Sequence, residues 1–193
     1  MTTISELVST HLPEAIAVIV PDGPRVTYRE LENNVERTAE RLVANGLGRG
    51  DLVSIVLPNS LEFLVTFLAT VRSGAVAAPL NPNYTVDEFN FFIRDSNSNM
   101  AIISNDAEIA RTSAESLDVP IITAHVADGN RIELEKKGVS LTGHSDVAPP
   151  KPDDIALFLH TSGTTSRPKG VPLAHSNLAA SLDNICLTYE LTA

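Results

Sequence analysis

Short apolar runs alternate with amphipathic helical stripes along this chain. That alternation restricts it to an α/β fold with a mainly parallel sheet and flanking helices. AIAVIV (Ala15–Val20) stops at the turn Pro21-Asp22-Gly23-Pro24. Thr27 followed by Glu30 is a capping box, which predicts a helix from Tyr28. Leu31, Val35, Ala39, Leu42 and Val43 form its buried stripe, and Gly46 can close it in a left-handed cap. LVSIVL (Leu52–Leu57) predicts the next strand. A helix capped by Ser60 is expected from Leu61 to about Arg72, with Gly74 as its stop. VAAPL (Val76–Leu80) predicts a further strand. Thr85 and Glu88 make a second capping box, opening a helix to about Asp95. MAIIS (Met100–Ser104), a short helix around Ala107–Ser116 and PIITA (Pro120–Ala124) continue the series.

The rhythm breaks between Lys136 and Asp154, where Gly138, Gly143, Pro149, Pro150 and Pro152 interrupt any period. The expected organisation is therefore a first α/β subdomain (residues 1–136), a linker (137–154) and the start of a second subdomain (155–193). IALFLH (Ile155–His160) reads as a strand buried on both faces. A last helix is expected from about Asn177 to Leu191.

Between that strand and that helix lies Thr161-Ser162-Gly163-Thr164-Thr165-Ser166-Arg167-Pro168-Lys169-Gly170. Gly163 lets successive backbone amides turn inward, which makes an anion nest. The hydroxyls can donate to phosphate oxygens, and Lys169 adds a mobile positive charge. The loop leaves the carboxyl end of a strand, where open α/β sheets bind ligands. The competing reading is a surface loop rich in small polar residues. A Walker A loop is excluded, because Lys169 precedes Gly170 and Val171 follows. Gly46-Leu47-Gly48-Arg49-Gly50 lies between a helix and a strand, the wrong order for a dinucleotide fingerprint. There is no GxSxG elbow, and the five histidines, His11, His125, His144, His160 and His175, make no HExxH pattern. His160 either lines the site or is structural. His175 reads as a cap or packing residue, and Asp153-Asp154 as the end of the linker.

Acidic residues outnumber basic ones by 24 to 14, a formal charge of -10. Such a surface repels nucleic acid and anionic lipid, so any phosphate site must be local. Cys186 is the single cysteine, which excludes an internal disulfide and fits a reducing, cytoplasmic setting. The N-terminus has no signal-peptide pattern, and Glu62, Arg72 and Gly74 break the most apolar stretch, Leu61 to Leu80, so no membrane span is expected. The sequon Asn83-Tyr84-Thr85 is read as chance.

TSGTT-x-x-PKG after an apolar strand resembles the phosphate-binding loop of the adenylate-forming enzymes, which include acyl-CoA synthetases, peptide-synthetase adenylation domains and luciferases. Val26-Thr27-Tyr28-Arg29-Glu30-Leu31, Gly50-Asp51-Leu52-Val53, Leu57-Pro58-Asn59, Gly74-Ala75-Val76 and Pro79-Leu80-Asn81-Pro82-Asn83-Tyr84 follow the order and spacing of that family, as does Val171 to Leu178 after the loop. Ser166 stands where most members have glycine. With Phe158-Leu159-His160 before it and Arg-Pro-Lys-Gly-Val-Pro-Leu after it, the chain looks most like the oxalate–CoA ligase branch.

The resemblance implies the incomplete N-terminal domain of an enzyme that activates a carboxylate with ATP and Mg²⁺ and passes the acyl group to coenzyme A. It places Thr161, Ser162, Gly163, Thr164, Thr165, Ser166, Lys169 and Gly170 on the nucleotide phosphates, with His160 as a pocket-lining candidate. It sets the adenine pocket, the metal-binding acids and the catalytic lysine beyond Ala193. Two expectations follow: a truncated part of a ligase, inactive alone, or a non-catalytic module that binds phosphate or a partner weakly. In either case, sheet surface left uncovered favours self-association.

Overall fold

The computed structural model describes residues 2–161 and 168–191. A short 3-10 turn, Ile4–Leu7, precedes a small antiparallel ribbon of β1 (Ile16–Ile19) and β2 (Arg25–Thr27). The main body follows as α1 (Tyr28–Ala44), β3 (Leu52–Val56), α2 (Leu61–Arg72), β4 (Val76–Pro79), α3 (Val86–Asp95), β5 (Met100–Ile103), α4 (Glu108–Ser116) and β6 (Ile121–Ala127). The helix starts lie where local chemistry puts them. Thr27 Oγ1 accepts from the Glu30 N–H while Glu30 accepts from the Thr27 N–H at 2.7 Å, and Thr85 and Glu88 repeat the arrangement. Ser60 accepts from the Phe63 N–H to start α2.

Three strands complete the sheet beyond those expected from the alternation: β7 (Arg131–Lys136), β8 (Val139–Ser140) and β10 (Lys169–Ala174), the last paired with β9 (Ile155–Thr161). The eight-stranded order is β10-β9-β4-β3-β5-β6-β7-β8. The five inner strands, β9 to β6, run parallel, and antiparallel hairpins finish both edges. β7 is highly charged, and β10 carries Pro172, which suits an edge strand because proline cannot donate to the ladder.

Helices cover both faces. Leu31, Val35, Leu42, Val65 and Leu68 of α1 and α2 pack on Val53, Ile55, Ile122 and Leu134. On the other face Phe89, Phe92 and Ile93 of α3, with Ala110 and Ala114 of α4, pack on Val56, Ala101 and Ile103. Asn34, buried in α1, ties its helix to the antiparallel extension: its Oδ1 accepts from the Ile132 N–H and its Nδ2 donates to the Asn130 carbonyl. The last helix, α5 (His175–Thr188), packs beside β9 and β10 and leaves Leu187 80% exposed, with Tyr189 just after it 72% exposed.

β9 pairs with β4, so residues 155–191 extend the same sheet as the first segment. One expectation needs correction: β9 is not buried on both faces, since only Ala156 is fully buried and Leu159 is 38% exposed. A strand next to an edge, with few helices over it, cannot hide every apolar residue it carries.

The expected linker is a strap. From β8 at one edge it crosses to β9 near the other. It is held by Asn45 Nδ2 on the Thr142 carbonyl, Arg72 Nη1 on the Val147 carbonyl and Arg49 Nη2 on the Pro149 carbonyl, and Arg49 also pairs with Asp154. Asn45 and Arg72 lie at the carboxyl ends of α1 and α2, so the strap runs along the amino edge of the parallel strands and leaves the carboxyl edge open.

Candidate functional site

At that open edge several strands end at one height. Ala77 lies opposite Leu157 and Ile55 opposite Pro79 in parallel register, so Leu57, Asn81 and Thr161 are level. Thr161 is the last residue of β9 and Lys169 the first of β10, and the two are directly paired. Paired residues point to one face, so a hydroxyl and an ammonium stand side by side at the root of the loop, both exposed. Lys169 makes no ion pair among the described residues. The expected phosphate contacts of Ser162, Gly163, Thr164, Thr165 and Ser166 lie outside the described residues, as does Arg167.

Gly170 follows Lys169 and faces His160 across the hairpin. It has no left-handed backbone, so conformational freedom is not its reason. A Cβ there would overlap the Phe158 ring, which lies across the Gly170 backbone. Beside the loop root is a cavity of about 560 Å³ walled by Leu57, Pro58, Phe63, Pro79, Leu80 and Pro82. Asn59, Asn81 and Asn83 supply its polar groups, and among the described residues no charged side chain lines it.

His160 does not line that cavity. Its side chain is 7% exposed and turns toward the end of α3, where Nε2 lies 2.9 Å from Asp95 Oδ2. Rings of Phe92 and Phe158 pack at 4.7 and 5.2 Å. The contacts of Asp95 and Phe158 with His160 and Gly170 carried no signal in the sequence, because Asp95 and Gly170 are distant along the chain from their partners.

His175, the first residue of α5, is fully buried. Its Nδ1 accepts from the Ile4 N–H at 3.3 Å, so Nε2 carries the proton, and the Val71 backbone lies beside the ring. Burial pushes its pKa below 6.5; Asp154 and the Val71 backbone pull it back up, and Arg49 adds to the lowering. The unfolded chain therefore takes up a proton on His175 before the folded chain does. Stability from this site is complete above about pH 6.5 and falls as pH drops through the folded pKa. Urea midpoints at pH 8 and pH 5 should differ more for the native chain than for His175→Gln. Equal differences would remove His175 from the account. Among the described residues no three His, Cys, Asp or Glu side chains cluster as metal ligands, and no helix is long and apolar enough to cross a membrane.

A doubly wound sheet with a hydroxyl-and-lysine loop at its carboxyl edge is the arrangement of an adenylate-forming domain, and this chain belongs to the AMP-binding enzyme family, whose model matches residues 6–192. It is 41% identical over 191 residues to an oxalate–CoA ligase of Arabidopsis thaliana, covering 97% of this chain and 37% of that protein. It is 38% identical over 196 residues to a probable CoA ligase of Humulus lupulus, covering 100% of this chain and 37% of that one. The solved structure of ATP-bound MatB from Rhodopseudomonas palustris superposes with a TM-score of 0.78 at 30% identity, over 99% of this chain and 38% of that chain. The chain thus spans little more than a third of the length of these relatives and corresponds to their N-terminal portion.

Proposed function

We propose that this chain is the N-terminal part of an ATP-dependent acid–CoA ligase and supplies the seat for the nucleotide's phosphates, with oxalate as the acid. The pairing of Thr161 with Lys169 at the loop root, on the open carboxyl edge, carries this reading. In the proposed reaction a carboxylate oxygen attacks the α-phosphorus of ATP and the bond to pyrophosphate breaks. The thiol of coenzyme A then attacks the acyl carbon, and AMP leaves. The Lys169 ammonium and the hydroxyls of Thr161, Ser162, Thr164, Thr165 and Ser166 hold the β- and γ-phosphates, with backbone amides at Gly163 and Gly170. Their work is positioning and charge neutralisation, which is most of what such a transfer needs. Mg²⁺ would accompany the nucleotide, and the family resemblance sets the acids that would hold it beyond Ala193.

Oxalate is supported by the name of the Arabidopsis thaliana relative. Calorimetry on the 193-residue chain should detect MgATP binding, weakened roughly tenfold or more by Lys169→Ala, the loss of one charge-assisted hydrogen bond. Equal affinity in the two proteins would overturn the assignment of the loop. The chain alone should catalyse no ATP–pyrophosphate exchange. A chimera carrying these residues in place of the matching part of the Arabidopsis thaliana ligase should release pyrophosphate in response to oxalate. A folded chimera indifferent to oxalate would overturn the choice of acid.

A further inference from the structure

The rung formed by His160 and Gly170 is the last full pair behind the loop root, one residue inside Thr161 on one strand and Lys169 on the other. Whatever fixes this rung fixes where both ends of the loop depart. The His160 imidazole is nearly buried, yet it contributes more than apolar packing. Its Nε2 meets Asp95 Oδ2 at 2.9 Å, and because an ionised carboxylate only accepts, Nε2 donates. Phe91, Phe92 and Phe158 surround the imidazole and set its plane.

Asp95 itself sits at the wrong place for its own helix. It is the final residue of α3, where the backbone dipole disfavours negative charge and a cation would be the stabilising choice. An acid held at that end is explained by its partner on β9 rather than by the helix. The pair also links elements 65 residues apart in sequence, one a helix end and the other the strand that leads into the loop.

We infer that His160 and Asp95 form a positioning pair that locks the loop root to α3 and so sets the Lys169 ammonium where a triphosphate is held; this rests on the phosphate-seat reading above. The pair touches no substrate. It acts through the β9–β10 stem, with the Phe158 ring against Gly170 stiffening the same rung.

His160→Phe tests the pair while keeping an aromatic ring in the aromatic surroundings. His160→Phe and Asp95→Ala should each weaken MgATP binding by the 193-residue chain roughly tenfold, as expected for a lost charge-assisted hydrogen bond. The two together should cost no more than either alone, because they remove one interaction. Asp95→Asn, whose amide oxygen still accepts but carries no charge, should bind between the native chain and Asp95→Ala. Hydrogen exchange gives a readout free of nucleotide: the Thr161, Lys169 and Gly170 amides should exchange faster in His160→Phe, with β3 and β5 unchanged.

If Lys169→Ala loses MgATP binding while His160→Phe keeps it, the pair is overturned and the loop assignment stands. If the native chain binds no MgATP, the phosphate-seat reading falls and the positioning role falls with it. Exchange then decides the anchor alone: faster exchange confined to the stem keeps it, and unchanged exchange removes it.

Discussion

Phe89→Ala will destabilise the fold by about 3–5 kcal/mol, the range for removing a fully buried aromatic ring. Phe89 has no exposed surface and lies at the centre of the α3–α4 side of the sheet, against Val56 and Ile103, with Tyr84 edge-on at 5.8 Å. Its neighbours belong to two strands, two helices and the turn before α3, so no single element can shift to fill the hole. The thermal midpoint should fall by roughly 6–20 °C for a chain of this size. A loss below about 1 kcal/mol in urea unfolding would mean that this core collapses around the vacancy, unlike most buried aromatic sites.

Gly170→Ala is the second large effect, and its reason is steric. The added methyl would overlap the Phe158 ring, and that ring is wedged between the β9–β10 stem and its neighbours on Leu52, Val76 and Ala78. The expected cost is about 1 kcal/mol, the low end for overpacking, because Gly170 is exposed and the Phe158 ring is only half-buried. Phe158→Leu in the same chain should recover part of it, since the shorter side chain clears the methyl. Paired unfolding measurements give the coupling between the two positions. Strictly additive costs would show that the contact does not limit position 170.

Much of the fold was legible because its signals are local. The capping boxes at Thr27 and Thr85 act over three residues, and α1 and α3 begin where those pairs place them. α2 starts one residue after Ser60 for the same reason. The antiparallel margins were not legible. Arg131–Lys136 alternates apolar and charged residues, and only pairing with β6 makes it a strand. Lys169–Ala174 contains a proline, yet becomes a strand by pairing with β9 along the sheet's edge. His160 was visible as a residue before the loop, but Asp95, which directs its imidazole, lies on another element and left no trace in the spacing of residues.

The order of residues in the chain determined the α/β class, the starts of its main helices, and the concentration of hydroxyls, glycine and lysine after a β-strand. Each depends on neighbours a few positions apart. Only the tertiary structure decided that β9 joins β4, that the Gly- and Pro-rich strap crosses the amino edge, and that Thr161 and Lys169 stand level with Leu57 and Asn81 at the open carboxyl edge. Those outcomes depend on strand register and on which apolar faces find cover, and both arise from contacts between residues far apart in the chain.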